Sequence, residues 1–114
     1  MHELAITQSL VKIALSKAEE VGALRIRKIN LKIGRLTGYV PEAVEMNFEM
    51  MTPGTRAEGA ELDIQWVPIR CRCRDCGAEY QSDELDLTCP KCGILSGQII
   101  DGREMFIDSI EIDN

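Results

Sequence analysis

Histidine is nearly absent from this chain. The single one, His2, stands beside the chain start, so no site that draws two histidines from one chain can form. Serine–histidine–aspartate and cysteine–histidine catalytic arrangements lose their base for the same reason. Long apolar runs are missing too. None approaches the roughly 20 residues of a membrane-spanning helix, and no membrane partner is expected. Basic charge is in deficit, 13 lysines and arginines against 19 acidic residues, for a net charge of −6. A general nucleic-acid binder shows a basic face, so no nucleic-acid partner is expected either. Gly34-Arg35-Leu36-Thr37-Gly38 lacks the following Lys-Ser/Thr of a phosphate-cradling loop. The carboxylates are scattered over faces that read as solvated. Together these absences predict a protein that is not an enzyme. The polar start, Met1-His2-Glu3, has no basic segment of the secretory kind, and a cytoplasmic location is expected.

At 114 residues the chain has room for one domain, or for one domain carrying a small module. Leu4 to Val21 reads as a helix, with Leu4, Val11, Ala14, Leu15, Ala18 and Val21 on an apolar face. Ile6, Leu10 and Ile13 widen that face, and Gly22 is a natural stop. Arg25 to Ile33 alternates like a half-buried strand. Leu24 and Ile26 are out of phase with it, which predicts a bulge or a late strand start. Pro41 suits the first turn of a second helix with Val44, Phe48 and Met51 facing inward. Met46, Met50 and Trp66 read as core or helix-face residues. Leu62 to Trp66 and Met105 to Ile112 read as further strands. From Pro68 to Arg103 apolar residues thin out and all five cysteines appear. The expected fold is α+β: a small mixed sheet of about three strands with two helices, plus an inserted zinc-ribbon-like module. The domains expected are 1–67 with 104–114, discontinuous in sequence, and 68–103.

Five cysteines in a reducing compartment point to metal ligation rather than disulfides. Cys73-Arg74-Asp75-Cys76-Gly77 and Cys89-Pro90-Lys91-Cys92-Gly93 form two pairs, twelve residues apart. Two residues between thiols let both sulfurs reach one ion from a tight turn. Gly77 and Gly93 can supply the positive φ that such a turn needs. Four soft thiolates in a tetrahedron make a closed structural zinc site. A redox Cys-x-x-Cys pair and a rubredoxin-type iron centre are the rival readings. Cys71 is a spare, read as a strand cysteine leading into the module. A zinc ribbon can bind nucleic acid, and Arg70, Arg72 and Arg74 form a small basic run. Residues 67–103 nevertheless carry five basic against six acidic side chains. Four thiolates around one divalent ion add a further −2.

The N-terminus holds a second donor set. The bulky second residue predicts that Met1 is retained. A histidine at position 2 can then close compact chelate rings through its imidazole, its own amide nitrogen, and either the terminal amine or the next amide. Deprotonated amides suit square-planar Ni(II) or Cu(II). A Met-His start can also arise by accident.

The combination resembles a known family. Met1-His2-Glu3-Leu4-Ala5 and the helix after it match, as do Ile33-Gly34-Arg35-Leu36 and Val40-Pro41-Glu42. So do Ala57-Glu58-Gly59-Ala60-Glu61-Leu62, Gly102-Arg103-Glu104-Met105 and Ile110-Glu111-Ile112. This pattern resembles the HypA/HybF family, nickel chaperones of NiFe-hydrogenase maturation, over essentially the whole chain. The resemblance implies a nickel-binding α/β domain and a zinc-binding module. It implies nickel as cargo at His2 (imidazole and amide nitrogen) and Glu3 (amide nitrogen), with the Met1 amine a further candidate. It implies structural zinc at Cys73, Cys76, Cys89 and Cys92. The Glu3 side chain is read as a partner contact or a first-turn charge. The implied partners are the nickel-handling GTPase of hydrogenase maturation and the hydrogenase large subunit. Urease maturation factors are served in some relatives. A homodimer is left open. Some relatives carry histidines beside their cysteine pairs; this chain has none there, so a histidine-based switch at that site has no residue to act through.

Overall fold

A computed structural model describes residues 3–82 and 86–114. Six strands, two α-helices and one 3-10 turn follow in the order α1 (Glu3–Glu20), β1 (Arg25–Gly34), the turn (Arg35–Thr37), α2 (Pro41–Met51), β2 (Glu61–Val67), β3 (Ile69–Cys73), β4 (Glu79–Ser82), β5 (Gly97–Asp101) and β6 (Met105–Asp113). Two three-stranded sheets result, ordered β2-β1-β6 and β4-β3-β5. The expected α+β architecture is borne out. Residues 1–32, 39–65 and 106–114 form one unit, and residues 33–38 and 66–105 form a second.

In the first unit α1 packs against α2. The face α1 turns inward is Thr7, Leu10, Val11, Ala14 and Ala18, a helical i, i+3, i+4 repeat. This corrects the expected stripe. Leu4, Ile13 and Val21 are exposed at 55%, 61% and 52%. Thr7 takes a place on the inward face, because its hydroxyl donates to the Glu3 carbonyl one turn back and so enters the core without an unmet polar group. Periodicity could not reveal that, since it counts apolar side chains only. Gly22 ends the helix as expected: its N–H donates to Glu19 O (3.1 Å) and the Ala23 N–H to Ala18 O (2.9 Å). This crossed pair satisfies the last carbonyls.

The strand β1 lies at the centre of its sheet and contributes Ile26, Ile29 and Leu31 to the core. Its inward alternation changes phase between Ile26 and Ile29, the irregularity that the sequence pattern anticipates. On α2, Pro41 occupies the first turn and Val44 and Phe48 are buried. Met51, the third residue of the expected inward stripe, is half-buried, and Met46 and Met50 lie on the exposed face of the helix. Phe48 is 2% exposed. Phe48→Ala is expected to cost about 3–5 kcal/mol, read as a lower denaturant midpoint at unchanged slope.

The second unit is built on β3, antiparallel to both β4 and β5. Among the described residues, Ile69, Cys71 and Cys73 of β3 and Cys89 are its buried apolar side chains beside Ile33. Three of those five are cysteines, too little apolar volume for a core of this size to hold alone.

Candidate metal centre

The strand β3 delivers Cys73 to a tight turn. Gly77 N–H donates to Cys73 O (3.0 Å), and Gly77 takes φ +75°. A second turn repeats this geometry. Gly93 N–H donates to Cys89 O (2.8 Å) with Gly93 at φ +74°, and Cys89 N–H donates to Ile94 O (3.0 Å). Both glycines thus adopt the left-handed conformation expected from the spacing, which a Cβ would strain.

The two turns bring four sulfurs together. Cys73 Sγ lies 3.6 Å from Cys92 Sγ, and Cys76 Sγ lies 3.6 Å from Cys89 Sγ. All four lie within 4.8 Å of one another. A tetrahedron with metal–sulfur bonds of about 2.3 Å has edges of about 3.8 Å, so the thiols present fit one tetrahedral ion. Cys73 and Cys89 are buried, while Cys76 and Cys92 are exposed.

The surroundings of these thiols push their ionisation in opposite directions. The Ser96 hydroxyl, 3.1 Å from Cys73 Sγ, and then the Cys76 amide hold the Cys73 thiol down to about 6. Cys89 is lowered chiefly by the Cys92 amide. At Cys92 the Ile94 amide pulls down, but partial loss of hydration at the sulfur and the thiols of Cys73, Cys89 and Cys76 outweigh it and push it up to about 12. At Cys76 the Ala78 amide likewise lowers, yet burial and the thiols of Cys73 and Cys89 win and the thiol is raised. Four thiols this close cannot all ionise on their own. A divalent cation removes the conflict by taking the place of the protons.

Cys71 lies outside this cluster. It is fully buried inside β3, opposite Tyr80 of β4 and Ile99 of β5. The Arg70-Arg72-Arg74 run is largely neutralised. Arg70 meets Asp101 at 3.0 Å and Glu79 at 3.5 Å, and Arg72 meets Glu79 at 3.1 Å. Such pairs add little stability at a surface, but they set two carboxylates beside Arg70 and Arg72.

At the other end of the chain, Met1 and His2 lie outside the described residues. Glu3 is described, and the residue is largely buried. Its Oε2 accepts the Val40 N–H at 2.9 Å. Val40 is the N-cap of α2 and has no side-chain cap of its own. The Glu3 carboxylate therefore serves the start of another helix, where negative charge is favoured. Glu3 lies in the first turn of α1, as one of the two readings of that side chain expects, and its bond to Val40 comes in addition. No local pattern signals it, because residues 3 and 40 meet only in the folded chain. Ser96 was missed for the same reason.

The model of a family described as hydrogenase/urease nickel incorporation, metallochaperone, hypA, matches residues 1–112. The chain belongs to the HypA family. A HypA hydrogenase maturation factor of Dehalococcoides mccartyi is 44% identical over 114 residues, covering 100% of this chain and 96% of that protein. One from Aquifex aeolicus is 41% identical over 113 residues, covering 99% and 98%. The solution structure of the nickel metallochaperone HypA from Helicobacter pylori aligns with a TM-score of 0.66 at 25% identity, over 99% of this chain and 98% of that one. HypA proteins are metallochaperones and maturation factors, not enzymes. The resemblance read from the sequence is thus borne out. HypA membership also gives meaning to two of its matching stretches. Ile33-Gly34-Arg35-Leu36 and Gly102-Arg103-Glu104-Met105 lie side by side, with Gly34 N–H donating to Glu104 O (2.7 Å) and Leu36 N–H to Gly102 O (2.8 Å).

Proposed function

We propose that this chain carries Ni(II) at its N-terminus and delivers it during NiFe-hydrogenase maturation, with a structural zinc ion held by Cys73, Cys76, Cys89 and Cys92. The observation that carries the reading is the convergence of four thiols within 4.8 Å. A closed set of four thiolates suits zinc and leaves no open position for a cargo ion. Nickel is then left with the chain's other donor set, His2 through imidazole and amide nitrogen and Glu3 through its amide nitrogen, with the Met1 amine able to complete a plane. The Glu3 carboxylate is engaged by Val40 and is not part of that set. On this reading residues 1–67 and 104–114 are the nickel-binding domain and 68–103 the zinc-binding module.

Terminal ligands suit delivery, because they can be released one at a time, whereas a buried cage would hold the ion. The partner proposed to receive or exchange nickel is the GTPase of the same pathway, and beyond it the hydrogenase large subunit. Urease maturation factors are a further destination, and a homodimer is an alternative assembly. Five unpaired cysteines suit a reducing cytoplasm.

The test is a titration of Ni(II) into zinc-loaded protein with a native, untagged N-terminus. One nickel per chain is expected without zinc release, and none for His2→Ala. A residue added before Met1 should weaken binding if the amine is a ligand. Absent nickel binding, or binding that survives His2→Ala unchanged, overturns the nickel assignment.

A further inference from the structure

Ser96 occupies the junction between the two cysteine turns. Its N–H donates to Ile94 O at 3.0 Å, which ties it to the second turn. Its carbonyl accepts the Arg74 N–H at 3.1 Å, which ties it to the first. Its hydroxyl lies 3.1 Å from Cys73 Sγ. Cys73 is the better buried end of its pair and is held from behind by the Cys76 N–H at 3.5 Å. Once a metal ion has displaced the Cys73 proton, the sulfur has nothing left to donate. The hydroxyl is then the donor and the thiolate the acceptor. Ser96 thus brings a hydroxyl, and not another thiol, to a sulfur of the cluster.

We propose that Ser96 is a positioning residue of the metal centre, donating its hydroxyl proton to the metal-bound Cys73 thiolate and so fixing that sulfur's direction and electron donation. The inference rests on the four-thiol cluster being a metal site. Partners that orient a ligand from behind typically contribute a factor of about 10–100 in metal affinity. A hydroxyl donated to a thiolate also draws charge from sulfur, which raises the energy of sulfur-to-metal charge transfer. The backbone bonds of Ser96 join the two turns whatever its side chain is. The hydroxyl therefore acts on the ion more than on the fold.

The experiment loads the full chain with Zn(II) for competition against a chelator, and with Co(II) for absorption spectroscopy. Ser96→Ala should lose affinity by about 10–100-fold and shift the thiolate-to-cobalt band to lower energy. Ser96→Thr, which keeps the hydroxyl, should retain both properties. If Ser96→Ala does not fold, Ser96→Thr and Ser96→Val decide, being equal in shape and different only in the donor. Equal affinity and equal band position in Thr and Val variants would overturn the role of the hydroxyl. A parent protein that takes up neither zinc nor cobalt would overturn the metal reading itself, an outcome visible before any variant is made.

Discussion

Gly34→Ala should be strongly destabilising. A Cβ at residue 34 would sit 2.1 Å from Gly102 O and 2.7 Å from Arg103 N. Both are backbone atoms flanked by the hydrogen bonds Gly34 N–H to Glu104 O and Leu36 N–H to Gly102 O. No rotamer change relieves such a clash, and relief requires the two segments to separate. Gly102 cannot step aside easily, since it is itself at φ +118° and its own Cβ position is 3.1 Å from Ile69 Cα. A loss of about 3 kcal/mol or more is expected, at the upper end of overpacking effects. In a domain of about 100 residues this lowers Tm by more than about 12 °C. Gly38→Ala is the control. Gly38 has φ +73° but open space around its Cβ position, so only backbone strain of about 1–2 kcal/mol applies. Thermal unfolding of the metal-loaded proteins checks the pair. Equal, small losses at 34 and 38 would show that the backbone-to-backbone approach is not tight.

Removing the metal should have a larger effect still, confined to the second unit. The buried apolar side chains of the second unit are few, and Cys71, Cys73 and Cys89 are prominent among them. Metal binding in such small modules supplies about 10–16 kcal/mol of apparent folding free energy. Chelation, or Cys89→Ser, should therefore abolish amide-exchange protection in β3, β4 and β5. Protection in α1 and α2 should persist, because Leu10, Val11, Ala14, Val44 and Phe48 form a core that uses no cysteine. Hydrogen exchange followed by mass spectrometry distinguishes the two regions. Unchanged protection of β3 after complete metal removal would mean that this sheet stands by itself.

Much of the protein was legible before folding. The spacing of Cys73, Cys76, Cys89 and Cys92, each pair followed by glycine, already specifies two tight turns and a soft donor set. That is local chemistry, read within five residues at a time. The strands β1, β2 and β6 and the helix α2 also follow from local alternation and from Pro41. The inward face of α1 did not follow. Thr7 lies on it and Leu4 and Ile13 do not, because burial is decided by what α2 presents, not by hydrophobicity along one helix. Met46 and Met50 stayed outside for the same reason.

Glu3 shows the limit most clearly. In sequence it is a first-turn charge; in the fold its carboxylate serves Val40 at the start of another helix. Ser96 carries no signal at all until the second turn is laid against the first. The sequence by itself determined the four-cysteine donor set, the turns that carry it and the family, since these depend on residue type and short spacing. Only the tertiary structure decided which side chains lie behind those atoms and why Gly34 and Gly102 must lack side chains. Those facts come from steric and hydrogen-bond contacts between segments dozens of residues apart, which no local pattern encodes.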